Sequence, residues 1–101
     1  GETKTIQSVT LGCMQNYNDW IFLPHSARFE SSVNGTDYEE IQIVNNLISI
    51  NEKYTQFDFK TFFPAKVARF IRVTAKNNLC PPGHSGEGKP GWIFADEIIV
   101  E

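Results

Sequence analysis

The apolar positions of this chain recur every second residue, the period of a half-buried strand rather than of a helix. In TIQSVTLGCM, Val9, Leu11 and Cys13 fall on one face. In ARFESSV, Phe29 and Val33 point one way, and Arg28, Glu30 and Ser32 the other. YEEIQIV pairs Ile41 with Ile43, and YTQFDFKTF sets Phe57 and Phe59 against Gln56, Asp58 and Lys60. ARFIRVTA places Ile71, Val73 and Ala75 inward, and WIFADEIIV ends the chain in a β-branched run. Such residues suit a pleated surface buried on one side. The breaks between the runs agree. Asn34-Gly35 is a hairpin signal, because tight hairpin turns favour positive φ at their central positions. Pro24 and Pro64 are expected just before strands, where a missing N–H matters least. No stretch combines a helical apolar face with a starting cap. The nearest, NNLISINEKY, reads as a loop or short strand. Six strands with regular turn signals predict an all-β fold, an antiparallel sandwich or barrel, filling residues 1–101 as a single domain.

Composition narrows the partners. The chain has 101 residues and is 41% hydrophobic, enough for one modest core and no second domain. Its net charge is −3 and its lysines and arginines are scattered, so it lacks the positive stripe that nucleic-acid binding requires. No apolar run approaches the roughly 20 residues that span a bilayer, so no membrane insertion is expected. There is no basic-then-apolar start of the signal-peptide kind. Cys13 and Cys80 have no metal-ligand spacing and read as free, buried thiols, with pairing left open.

The last third carries the most specific pattern: ARFIRVTAKN, a Pro/Gly loop CPPGHSGEGKPGW, then IFADEIIVE. It resembles the end of discoidin domains, the galactose-binding-like jelly rolls also called coagulation factor V/VIII type C domains. SSVNGTDYEEI resembles their central hairpin, and VTLGCMQ followed by WIFLP the strand and loop before it. The combination is most similar to the discoidin-like domain at the C-terminus of Bacteroidetes family 20 β-N-acetylhexosaminidases, the chitobiase-type enzymes. The resemblance runs from about Ile6 to Glu101 and is most specific over 68–101. It implies a jelly roll shortened at its N-terminus, without the early loop where many such modules hold a structural calcium; that ion is expected only in a full-length domain. It implies a non-catalytic accessory domain of a periplasmic, cell-surface or secreted glycosidase. The implied partners are a glycan with N-acetylhexosamine or galactose-type sugars and the catalytic domain of the same polypeptide.

Each chemistry can be weighed on the residues. Glycoside hydrolysis needs two carboxylates flanking one bond. Asp96 and Glu97 are neighbours on one strand and are expected on opposite faces, while Asp37, Glu39 and Glu40 read as a solvated hairpin edge. No catalytic residue is nominated, and the domain is not expected to be an enzyme. Zinc needs three or four placed ligands, and Cys80, His84, His25 and Cys13 do not supply them by spacing. Gly-Glu-Gly at 86–88 lacks the acid density of a calcium loop, so neither metal nor cofactor is expected. In the resembling modules the sugar sits on one rim, between two loops that correspond here to residues 15–20 and 77–92. The candidate carbohydrate-binding residues are Gln15, Tyr17, Asn18, Asp19, Trp20, His84 and Trp92: aromatic faces for the C–H side of a sugar, and polar groups for its hydroxyls. Where those modules place an arginine against galactose, this chain reads Met14-Gln15, a departure that weighs against galactose itself. The alternative is structural. Trp20 and Trp92 each open a WIF run and would cap the core or touch the catalytic domain. Arg69 and Arg72 are expected to tie loops rather than bind ligand. The 80–92 loop, stiffened by Pro81-Pro82, is expected to cross the rim rigidly.

Overall fold

Six strands form in the computed structural model, which describes residues 2–101. They are β1 (Lys4–Asn16), β2 (Ser26–Ser32), β3 (Glu39–Asn45), β4 (Tyr54–Ala68), β5 (Phe70–Lys76) and β6 (Phe94–Val100). The single helical element among the described residues is a three-residue 3-10 turn, Tyr17–Asp19, directly after β1. The six strands pair antiparallel throughout, in two three-stranded sheets ordered β4-β1-β6 and β3-β2-β5. The protein is an antiparallel β-sandwich. Its extents, 46 × 22 × 19 Å, follow from the long β1–β4 pair. Fifteen residues of β4 at about 3.4 Å each span nearly the whole long axis.

The alternation places the core. Val9, Leu11 and Cys13 of β1 meet Phe59 of β4, and across the sandwich Ala27 and Phe29 of β2, with Leu23 closing one end. Phe57 and Phe59 lie edge to face at 4.8 Å, a preferred aromatic geometry. Ile71 and Val73 of β5 pack on the same cluster. On the outer face of the second sheet, Glu30 is buried beneath a two-armed pair with Arg72, at 3.0 and 2.9 Å. Arg72 stacks 4.0 Å over the Tyr38 ring, the tying role expected of it.

Four local expectations change. Ile43 is 48% exposed and Val44 packs inward instead. A bulge opposite Phe29–Glu30 gives β3 one extra residue and so reverses the parity of the strand beyond it. Val33 lies beyond β2, 58% exposed in the turn. The Asn34-Gly35 hairpin exists, but its connection runs over 33–38 rather than two residues. Asn34 Oδ1 organises it, accepting the N–H groups of Thr36 and Asp37 at 2.8 and 2.9 Å. Pro64 sits inside β4, not before a strand. It occupies the irregularity between Phe62 and Lys66 on a sheet edge, where no ladder bond needs its N–H.

The two outer strands of the first sheet differ. β4 sends Phe59 and Thr61 into the interior, whereas β6 is exposed along its whole length. Both cysteines are buried and free.

Candidate functional site

β1 carries its inward parity to its last turn, and that decides the fate of Gln15. Its side chain is fully buried, in step with Val9, Leu11 and Cys13. Gln15 Nε2 donates to the carbonyls of Ser49, Ile50 and Glu52 at 3.2, 3.3 and 2.9 Å, and its Oε1 accepts the Leu23 N–H at 3.2 Å. The amide pins the 49–52 loop to the start of the Leu23 segment. It has no face left for a hydroxyl of a ligand, so it is a strut of the rim and not a contact on it.

After Asn16 the chain turns through Tyr17–Asp19 and returns at Ile21, which exchanges backbone hydrogen bonds with Asn16 at 2.8 and 3.1 Å. Trp20 closes this turn in the left-handed region, φ 63°. That conformation is disfavoured for a bulky residue by about 1–2 kcal/mol and persists only where packing holds it. His84, from the long loop, supplies the packing. It is buried among Tyr17, Trp20 and Phe22, with ring centroids 4.6, 5.5 and 5.5 Å away, all edge to face. Its Nδ1 accepts the Gly86 N–H at 2.9 Å, so the ring hydrogen is on Nε2, which donates to the Tyr17 carbonyl at 2.8 Å. Both nitrogens are engaged. His84, nominated as a sugar contact, is instead a buried hub that locks the two loops together.

Gly86 is where the loop meets the Trp20 ring most closely. A Cβ there would lie 2.5 Å from the indole, so only glycine allows this approach. The two ends of the loop are tied to each other and to the 20–23 segment. Trp92 N–H donates to the Trp20 carbonyl and Phe22 N–H to that of Trp92, at 2.8 and 2.9 Å. Asn77 and Asn78 spend their amides on the Gly91 and Leu23 carbonyls. Residues 80–92 cross the rim as expected, with these bonds fastening both ends of the crossing.

The seven nominated residues therefore divide. Tyr17, Trp20 and His84 form one aromatic cluster, with Lys53 Nζ seated 3.8 Å over the Tyr17 ring. Asn18 and Asp19 are exposed at the turn. Trp92 is 71% exposed and presents a free indole. Gln15 and His84 are buried.

The concavity lies on the other side of the same loop. A hollow of about 580 Å3 opens there, its apolar wall formed by Ile50, Leu79, Pro81 and Pro82. His25, Lys76 and Glu87 bring polar groups to it. The Lys76 carbonyl accepts the His25 N–H at 2.7 Å, fixing the two side by side, and the Gly83 N–H anchors one Glu87 carboxylate oxygen at 2.8 Å. The nominated span 77–92 contains part of this wall, but His25, Ile50 and Lys76 lie outside it. The end of β5 is a sequence signal for Lys76 alone, since the chain leaves that strand there and enters the Pro/Gly loop at once; nothing in the sequence marks His25 or Ile50.

Among the described residues no group of three His, Cys, Asp or Glu side chains is placed to hold a metal ion. No helix among them is long and apolar enough to cross a membrane. A bulge at Asp96 interrupts the alternation on which opposite faces for Asp96 and Glu97 were expected. The Asp96 carboxylate lies over Gly12, beside that of Asp58. The Cys13 thiol is pushed up to about 11, first by burial and then by these two carboxylates. Compared with known proteins, the chain matches no family model and no curated protein.

Proposed function

We propose that this β-sandwich is a non-catalytic accessory domain that recognises a carbohydrate in the hollow between the end of β5 and the 79–88 loop. The observation that carries this reading is the hollow itself. At about 580 Å3 it has the size of a small-ligand site, mostly apolar with a few converging polar groups. A pyranose has that same two-sided character. Its C–H face and any N-acetyl methyl group suit Leu79, Pro81 and Pro82, and its hydroxyls suit His25, Lys76 and Glu87. The locked loop favours binding too, because a preformed wall loses little entropy when it takes a ligand. Trp92, exposed on the other flank of the loop, is a stacking surface for a further unit of an extended glycan.

The resemblance to discoidin domains of family 20 β-N-acetylhexosaminidases supports this reading. It points to the jelly-roll variant of the sandwich, to an N-acetylhexosamine-containing glycan, and to a secreted, periplasmic or cell-surface parent enzyme. Weak binding would suffice, since a tethered module raises the local concentration of substrate for its catalytic neighbour. The test is affinity electrophoresis in gels containing glycol chitin or galactan. The protein is retarded by glycol chitin, and Leu79→Ala or Lys76→Ala relieves the retardation without lowering thermal stability. Retardation that ignores both substitutions would overturn the assignment to the hollow.

A second reading is a domain that serves only to pack on its neighbours. The specific observation in its favour is β6, whose Phe94, Ile98, Ile99 and Val100 are all exposed.

A further inference from the structure

β6 ends the first sheet, its outer edge pairs with no strand among the described residues, and its two faces differ in a way that describes an occupant. Glu101 and Ser8 exchange backbone hydrogen bonds, N–H to carbonyl, at 3.0 and 2.9 Å. Bonding direction alternates along an antiparallel strand. Ile99 therefore turns its backbone toward β1, and Ile98 and Val100 turn theirs outward. The side chains of Ile98 and Val100 stand in register with Leu11 and Val9, two buried residues of the core. They continue the interior's apolar row to the sheet edge, yet remain 54% and 40% exposed. The opposite face of β6 carries acidic groups beside Ile99: Glu97 is in register with Gly12, the Asp96 carboxylate lies over that glycine, and β4 sets Asp58 and Lys60 on the far side of β1.

We propose that the outer edge of β6 is a docking site for an extended peptide segment, added as a further strand, whose alternate residues are apolar and whose intervening residues are basic. Main-chain groups of Ile98 and Val100 supply the ladder, the usual mode of strand addition to an open edge. The apolar residues of the segment extend the row of Leu11 and Ile98 over the core. The basic residues face Glu97 and Asp96 of β6 itself, since opposite charges on neighbouring strands stabilise the pairing and like charges oppose it. The same rule disfavours a second copy. Two β6 strands paired about a two-fold axis through the strand centre would set Glu97 against its own copy, beside the Asp96 carboxylates. β6 has neither lysine nor proline, two common protections of an exposed edge. Its carboxylates guard it against itself while leaving it open to a basic strand. This inference does not depend on the carbohydrate reading, which concerns the far end of the long loop.

The experiment titrates the protein with two synthetic heptapeptides, KVKVTVK and EVEVTVE, in low salt, read by amide NMR shifts, with sedimentation of the free protein. The basic peptide is expected to bind about tenfold more tightly than the acidic one, from a few opposite-charge pairs. Its shifts should centre on Ile98 and Val100. Val100→Pro removes an outward N–H that β1 does not use, and should abolish binding. Glu97→Lys should reduce the preference for the basic peptide or reverse it, which keeps the test decisive if the proline variant fails to fold. No binding, equal binding of both peptides, or shifts centred away from β6 would overturn the proposal. So would a stable dimer dispersed by Glu97→Lys, which would make a second copy the occupant.

Discussion

Replacing Gln15 by leucine separates the structural role of this side chain from any contact with a ligand. Leucine is close to glutamine in size, so the substitution deletes an amide without opening a large cavity. In the native protein the amide serves four backbone groups. The Leu23 N–H lies in a segment that is fully buried, and without the Gln15 oxygen it has no water to turn to. A stranded buried donor is destabilising by about 1–3 kcal/mol. The carbonyls of Ser49, Ile50 and Glu52 belong to a loop that is partly or fully exposed, so water can replace the amide there. Their loss adds about 1 kcal/mol, the ordinary net value of a hydrogen bond. The expected destabilisation is about 2–4 kcal/mol, against a total near 5–15 kcal/mol for a domain of this kind. Urea unfolding should show the midpoint falling by about 1–3 M with an unchanged slope. Amide exchange should quicken at Leu23 and its neighbours. A change below about 0.5 kcal/mol, the range of an ordinary surface substitution, would refute the argument that Gln15 is a buried strut.

Gly86→Ala should destabilise by about 1–3 kcal/mol, because its Cβ would press on a Trp20 ring that His84 holds in place; thermal melts check this. Trp92→Ala, by contrast, should leave stability within about 0.5 kcal/mol, as expected of an exposed ring. The hydrogen bonds from Arg72 hold the Glu30 carboxyl below its ordinary value of 4.5, so its contribution is complete above that value and lost as pH falls through the lower folded value. Acid titration of Glu30→Gln should therefore show less stability loss below pH 4.5 than the native protein. The Cys13 thiol, raised to about 11, should react with a disulfide reagent at pH 8 only at the rate at which the protein opens.

The strands were legible because each has one buried face, and a strand with one buried face writes its period into the sequence. Where the period broke, the reading failed. The bulge in β3 exchanged Ile43 for Val44, and the irregularity at Pro64 let β4 run on past a residue that looks like a stop. Gln15 could have been placed correctly, since it shares the parity of Val9, Leu11 and Cys13; its polarity argued for the rim and burial prevailed through hydrogen bonds. His84 offered no such clue. Its burial is a product of three aromatic residues that come together only when residues 17–22 fold against the long loop. The hollow was illegible for a similar reason: His25, Ile50 and Lys76 lie far apart along the chain and meet only where two sheets end.

Carbohydrate recognition in the hollow is decided by titrating the 15N-labelled protein with N-acetylglucosamine, chitobiose, N-acetylgalactosamine and galactose. Saturable shifts are expected at His25, Lys76, Leu79 and Glu87, with N-acetylated sugars preferred and Gln15 and His84 unmoved. Absence of shifts at tens of millimolar sugar, roughly the weak limit of useful single-site binding, or shifts confined to residues 16–20, would contradict recognition in the hollow.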